Sequence, residues 1–126
     1  MLFRSIQTKF RNEKRAKSGI LRGREFVMKD LYSFDMDEAG FREFYEKAAE
    51  AYLKIFNRTG IGDVTFRTFA DGGVFSKFSD EFQTLSDAGE DTIYVDEKKK
   101  IAVNKEVYTD EVLKELGLEK IGRAHV

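Results

Sequence analysis

From residue 6 to residue 13 apolar and polar side chains largely alternate, as Ile6-Gln7-Thr8-Lys9-Phe10-Arg11-Asn12-Glu13. That is the period-two pattern of a half-buried strand. Residues 24–31, Arg24-Glu25-Phe26-Val27-Met28-Lys29-Asp30-Leu31, read as a second strand, and the polar, flexible Lys14-Arg15-Ala16-Lys17-Ser18-Gly19 lies between them. The pair predicts a long hairpin with an exposed cationic loop. The period then changes. Phe41, Phe44, Tyr45, Ala48, Tyr52, Ile55 and Phe56 recur at three- and four-residue steps, with Asp37 placed to cap a helix and Gly60 placed to stop it. Helical spacing by itself makes this aromatic stripe core packing. Beyond it, residues 64–69 carry β-branched and aromatic side chains suited to a strand, and Asp71-Gly72-Gly73 reads as a turn. Residues 81–85, 92–95 and 101–103 give further short strands, separated by a turn containing Gly89 and a lysine-rich turn. Thr109 caps a last short helix through Leu116, which Gly117 ends. The pattern predicts an α+β fold, an antiparallel sheet with a long flanking helix.

A chain of 126 residues is near the usual size of one domain, which leads to the expectation of a single core. With 41% hydrophobic residues, including 12 Phe and 5 Tyr, there is enough apolar material to build it, which argues against wholesale disorder. The net charge of -1 gives no bulk attraction to nucleic acid or to an anionic membrane, so any phosphate binding must be local. Residues 4–29 hold more than half of the arginines, whereas residues 35–50 and 80–97 are acid-rich. The absence of Cys excludes disulfides and thiolate metal sites, and one histidine, His125, does not build a histidine cluster. No apolar run approaches the roughly 20 residues that span a bilayer, and no apolar signal core follows the N-terminal charges, so a cytoplasmic location without membrane partners is expected.

Phe10-Arg11-Asn12-Glu13, a basic loop, and Arg22-Gly23-Arg24-Glu25-Phe26 on the returning strand match F-R-x-E followed by R-x-x-x-F. This resembles motif 2 of the class II aminoacyl-tRNA synthetases. The wider stretch of residues 10–34 is similar to prolyl-tRNA synthetases in particular. A second block, Gly72-Gly73 through Ser79-Asp80-Glu81-Phe82-Gln83 and Gly89-Glu90-Asp91, resembles the G-G…S-H-E-F…G-E-D segment of the bacterial-type enzyme. Both blocks stand in the family's order and together cover residues 6–106. The resemblance implies that residues 1–126 represent the middle of a class II catalytic domain, from motif 2 to the segment before motif 3. It implies a ligase that activates proline with ATP, with Mg2+ expected, and transfers it to tRNA(Pro), the full-length enzyme being a homodimer.

Residue roles follow by the same resemblance. Arg11 would be the catalytic residue, holding the α-phosphate and the carboxylate of proline. A planar fork of donors suits that anionic pair, and negative charge develops on the phosphorus as the carboxylate attacks. Glu13 would accept from the adenine amino group, Arg22 would lie along the polyphosphate and adenine, and Phe26 would stack on the base. Arg11, Phe26, Met28, Asp80, Glu81 and Phe82 would form the proline pocket. Lys14, Arg15 and Lys17 would sit in the loop that approaches ATP and the tRNA acceptor end. From the residues alone, the arginines are equally the solvated face of a hairpin, Phe26 ordinary core, and Glu81 and Phe82 plain strand residues.

One departure is chemical. Asp80 stands where the family has His, and an extra negative charge there is expected to disfavour a substrate carboxylate unless Asp80 points to solvent. Other departures concern extent. The chain starts just before motif 2 and contains no G-x-G-x-x-R motif 3, motif 1, T-x-E loop, editing insertion or anticodon-binding domain. Alone it is therefore expected to show little or no aminoacylation, and its sheet to expose unpaired edges and an apolar face. Two alternatives remain, a free-standing synthetase-like module that binds nucleotide or RNA without catalysis, and an interaction protein whose sheet edge pairs with another chain.

Overall fold

The computed structural model describes residues 1–17, 19–73 and 76–118, and the backbone of 124–125. Ser18 of the basic loop, and most of residues 121–126, where the family likeness is poor, lie outside the described residues. Contacts divide the chain into two compact units, Met1–Lys47 and Ala48–Val126. Length suggested one core, yet every buried hydrophobic residue, from Ala49 to Leu118, belongs to the second unit.

The first unit is built on a hairpin of β1 (Leu2–Phe10) and β2 (Glu25–Ser33), paired antiparallel from Leu2↔Ser33 to Phe10↔Glu25. Alternation sorts its side chains onto two faces. One carries Ser5, Gln7, Lys9, Phe26, Met28 and Asp30, most of them half-buried. The opposite face holds Leu2, Ile6, Phe10 and Val27, and here the expectation of a half-buried strand is corrected: Ile6 is 76% and Phe10 75% exposed. A two-stranded ribbon buries a face only against a second layer, and nothing in this unit supplies one there.

Helix α1 (Glu38–Arg58) starts in the first unit and ends in the second. The Asp37 Oδ1 accepts from the Gly40 N–H at 2.8 Å, as a cap should. Its aromatic stripe is core only in part. Phe41, Tyr45 and Ile55 are exposed, Ala49 alone is fully buried, and Tyr52 and Phe56 pack their rings on Phe82 at 5.3 and 5.6 Å. A helical stripe becomes interior only along the turns that another element covers.

The second unit holds β3 (Thr65–Asp71), β4 (Phe78–Thr84), β5 (Ile93–Asp96), β6 (Ile101–Asn104) and β7 (Ala124–His125) in one sheet of order β4-β3-β6-β5-β7. Three of the four pairings are antiparallel as expected, but β3 and β6 run parallel. The register explains the exception. Thr84 pairs with Thr65 at one end of β3, whereas Ile93 opposes Asn104 toward the other, so residues 85–92 carry the chain back along the sheet before β5 begins. The β5–β6 hairpin then enters with β6 pointing the same way as β3. Leu85, on that crossing, packs against Phe66, Ile93, Val95 and Ala102 on one face. On the other, α2 (Asp110–Glu115) contributes Val112 and Leu113, which join Val103 and Leu118. The lysine-rich turn ties these layers together. Lys99 Nζ donates to the Gly117 carbonyl at the end of α2 (2.6 Å) and Lys100 Nζ to the Asp63 carbonyl (3.0 Å), with Lys100 also over the Phe66 ring.

Both helices close as expected. Gly60 (φ 83°) donates to the Asn57 carbonyl and Ile61 to the Phe56 carbonyl; Gly117 (φ 65°) and Leu118 repeat the arrangement with Lys114 and Leu113. No atom lies within 4 Å of a Cβ added at Gly60, so a substitution there meets only the backbone cost. Gly60→Ala should therefore lower stability by about 1 kcal/mol in chemical unfolding, leaving the helical circular dichroism of the folded chain unchanged.

Candidate functional site

The hairpin ladder does not stop at Phe10. The Arg11 N–H donates to the Arg24 carbonyl (2.9 Å), the Glu13 N–H to the Arg11 carbonyl (2.8 Å), and the Lys17 N–H to the Arg22 carbonyl (3.2 Å). The Arg24 side chain fastens the same stretch, its Nε donating to the Glu13 carbonyl at 2.8 Å. These bonds bring Arg11, Glu13, Arg22 and Phe26 around one concavity of about 210 Å3, completed by Leu21 and Gly23. The Arg11 guanidinium lies over the Phe26 ring, 5.1 Å from its centroid, and the Arg22 Nη1 stands 3.9 Å from the Glu13 Oε2. Leu21 and Gly23 were not singled out from the sequence, although both lie within the motif stretch. Lys14, Arg15 and Lys17 are exposed on the loop beyond. Chemically the concavity offers two guanidinium groups for an anion, one aromatic face and one carboxylate.

On the same hairpin face, Lys9 stands opposite Phe26 and Met28 opposite Gln7. The Lys9 ammonium reaches Asp30 Oδ2 at 2.8 Å, and Gln7 Nε2 donates to the same oxygen at 3.2 Å. The Lys9 hydrogen bond, followed by that of Gln7, holds the Asp30 carboxyl below its ordinary 3.8 against partial desolvation. Donation to Asp30 likewise holds Lys9 above its ordinary 10.5. A lowered carboxyl pKa stabilises the folded hairpin above pH 3.8 and loses that effect as pH falls through the lowered value. The raised ammonium contributes below pH 10.5 and loses its effect as pH rises through the raised value. In Lys9→Met the Asp30 titration, followed by carboxyl NMR, should move upward toward 3.8; an unmoved midpoint would mean that another group sets it.

Asp80, Glu81 and Phe82 belong to β4 in the second unit, whereas Arg11, Phe26 and Met28 belong to the first. Their three side chains are used differently. Phe82 packs with Tyr52 and Phe56. Glu81 is exposed on the opposite face and accepts from Gln83 Nε2 at 2.8 Å. Asp80 is neither solvent-pointing nor an unbalanced charge, because its Oδ2 accepts from the Arg67 Nε at 2.9 Å and Nη2 at 2.5 Å, with both side chains about one-fifth to one-quarter exposed. The carboxylate expected to repel an anionic substrate thus has its own cation. The two residues line a concavity of about 330 Å3 with Phe69, Ile101, Ala102 and Leu116. A double-mutant cycle of Arg67→Met and Asp80→Asn should give a coupling on the order of 1 kcal/mol in chemical unfolding, discounted for partial exposure. Additive losses would show that the pair is merely adjacent.

Glu13 is the sole carboxylate lining the first concavity, and Arg22 stands beside it. That donor set does not fit a magnesium ion, which takes an octahedral shell of oxygens. Among the described residues no group of three His, Cys, Asp or Glu is placed to hold a metal, and no helix is long and apolar enough to cross a membrane.

Residues 2–97 match the family model of the tRNA synthetase class II core domain (G, H, P, S and T). The chain is 46% identical to a proline--tRNA ligase of Bordetella petrii over 107 residues, which is 83% of this chain and 18% of that protein. It is 47% identical over 106 residues to the proline--tRNA ligase of Burkholderia multivorans, covering 82% and 18%. With that of Burkholderia ambifaria the identity is 50% over 93 residues, covering 72% and 16%. The chain thus spans about a fifth of the length of the curated relatives it matches. Motif 2 is folded as a hairpin with its arginines, glutamate and phenylalanine on one concavity, and the matched span runs through both units: the chain belongs to the class II tRNA synthetase core-domain family, in a segment shared with proline--tRNA ligases.

Proposed function

We propose that the chain carries the motif 2 half of the ATP site of a prolyl-tRNA synthetase, within one class II catalytic domain that both units help to build. The supporting observation is the convergence of Arg11, Glu13, Arg22 and Phe26 on one concavity. Arg11 is drawn off Phe26 when a phosphate arrives. A cation–π contact at an exposed site is worth about 0.5–1 kcal/mol, whereas a hydrogen bond to a charged group gives roughly 1.5–3 kcal/mol, so the exchange favours the nucleotide. Arg11 then holds the α-phosphate beside the proline carboxylate, and Arg22 turns from Glu13 toward the polyphosphate. Glu13 is left to accept from the adenine amino group, and Phe26 stacks on the base. Met28, Asp80, Glu81 and Phe82 are assigned to the proline side, with Arg67 cancelling the charge of Asp80. Lys14, Arg15 and Lys17 meet the acceptor end of tRNA(Pro). ATP, proline and tRNA(Pro) are thus its partners, with a second subunit in the whole enzyme and a cytoplasmic location.

About 210 Å3 is less than the roughly 300–1,000 Å3 of a complete small-molecule pocket. The chain alone therefore binds ATP without completing the reaction. NMR titration of the 126-residue chain should show ATP binding that Arg11→Ala weakens roughly 10- to 100-fold. No proline-dependent pyrophosphate exchange should accompany it, and exchange abolished by Arg11→Ala would overturn the half-site reading. RNA binding should be salt-dependent and lost on neutralising Lys14, Arg15 and Lys17.

A further inference from the structure

Phe26 has one ring face under the Arg11 guanidinium. A nucleobase stacking on the ring's other face would keep its own far side against water unless a second side chain covered it. The concavity contains one apolar side chain besides Phe26, and it is Leu21. Leu21 is 78% exposed, so it makes no core contact that a substitution would break. Its neighbour Arg22 is pinned to Lys17 across the loop, while Gly19, two residues earlier, takes φ 61° with open space around it. The loop is therefore anchored on the Arg22 side and turns freely at Gly19.

We infer that Leu21 is the second wall of the base slot, a specificity-determining residue that closes on the nucleobase face turned away from Phe26. This rests on the concavity being a nucleotide half-site. The division of labour is chemical: Glu13 meets the base edge, Arg11 and Arg22 meet phosphate, and Leu21 responds only to apolar area. Leu21 accordingly favours a purine, with its larger face, over a pyrimidine, and contributes nothing to a bare polyphosphate.

NMR titrations of the full chain with ATP, CTP and inorganic tripolyphosphate separate these roles. Leu21→Ala should weaken ATP about tenfold, narrow the preference for ATP over CTP and leave tripolyphosphate unchanged, and Leu21→Met should restore ATP binding. Unchanged ATP binding in Leu21→Ala would overturn the role of Leu21 while leaving the half-site in place. Equal weakening of tripolyphosphate would overturn it as well, by showing a general loop effect. Failure of the unsubstituted chain to bind ATP at all would overturn both readings.

Discussion

The antiparallel register of β1 and β2 is the constraint on which the candidate site depends. Side chains on a strand alternate faces, so a slip of one residue between Phe10↔Glu25 and its neighbours would send Phe26 and Met28 to the side of Ile6 and Phe10. The Arg11 N–H bond to the Arg24 carbonyl extends that register past the end of β1 and keeps Arg11 over Phe26. Lys9 and Asp30 reinforce it from the half-buried face, because their ion pair is satisfied only in this pairing. The chemistry of the loop is thus fixed by backbone hydrogen bonds some distance from its tip.

Three carboxylates in the two units are met by cations from neighbouring strands or loop arms: Asp30 by Lys9, Glu13 by Arg22 and Asp80 by Arg67. They are not equivalent. An ammonium is a compact point charge, and at Asp30 it shares the oxygen with Gln7. The guanidinium of Arg67 places two donors on a single Asp80 oxygen, a directional grip that Lys would not reproduce. At 3.9 Å the Glu13 and Arg22 pair is the loosest, and it is the one whose members a nucleotide would have to engage separately.

Local features were legible in the sequence. Asp37, Gly60, Thr109 and Gly117 do at helix ends what their chemistry suggests, because capping depends on a few adjacent residues. The motif residues on the hairpin were legible for a similar reason, since their spacing around the loop places them on one concavity. What depended on distant contacts was not. The parallel β3–β6 pair follows from the crossing at residues 85–92, and the Arg67–Asp80 pair from the register of β3 on β4, neither of which periodicity records. The aromatic stripe of α1 showed which residues share a helix face but not which turns are covered, so Phe41 and Ile55 read as core and lie exposed. Leu21 carried no polar signature and was passed over.

The crossing between β4 and β5 also sets the order in which the second unit can assemble. The β3–β4 and β5–β6 hairpins each close through short connections, so their chain-entropy cost is small and they form early. Registering Phe69 against Val103 joins segments much farther apart in sequence, and it requires Leu85 to settle over Phe66 as residues 85–92 cross the sheet. Docking of two preformed hairpins, rather than formation of either, is the slow event that commits this half of the chain to its native state.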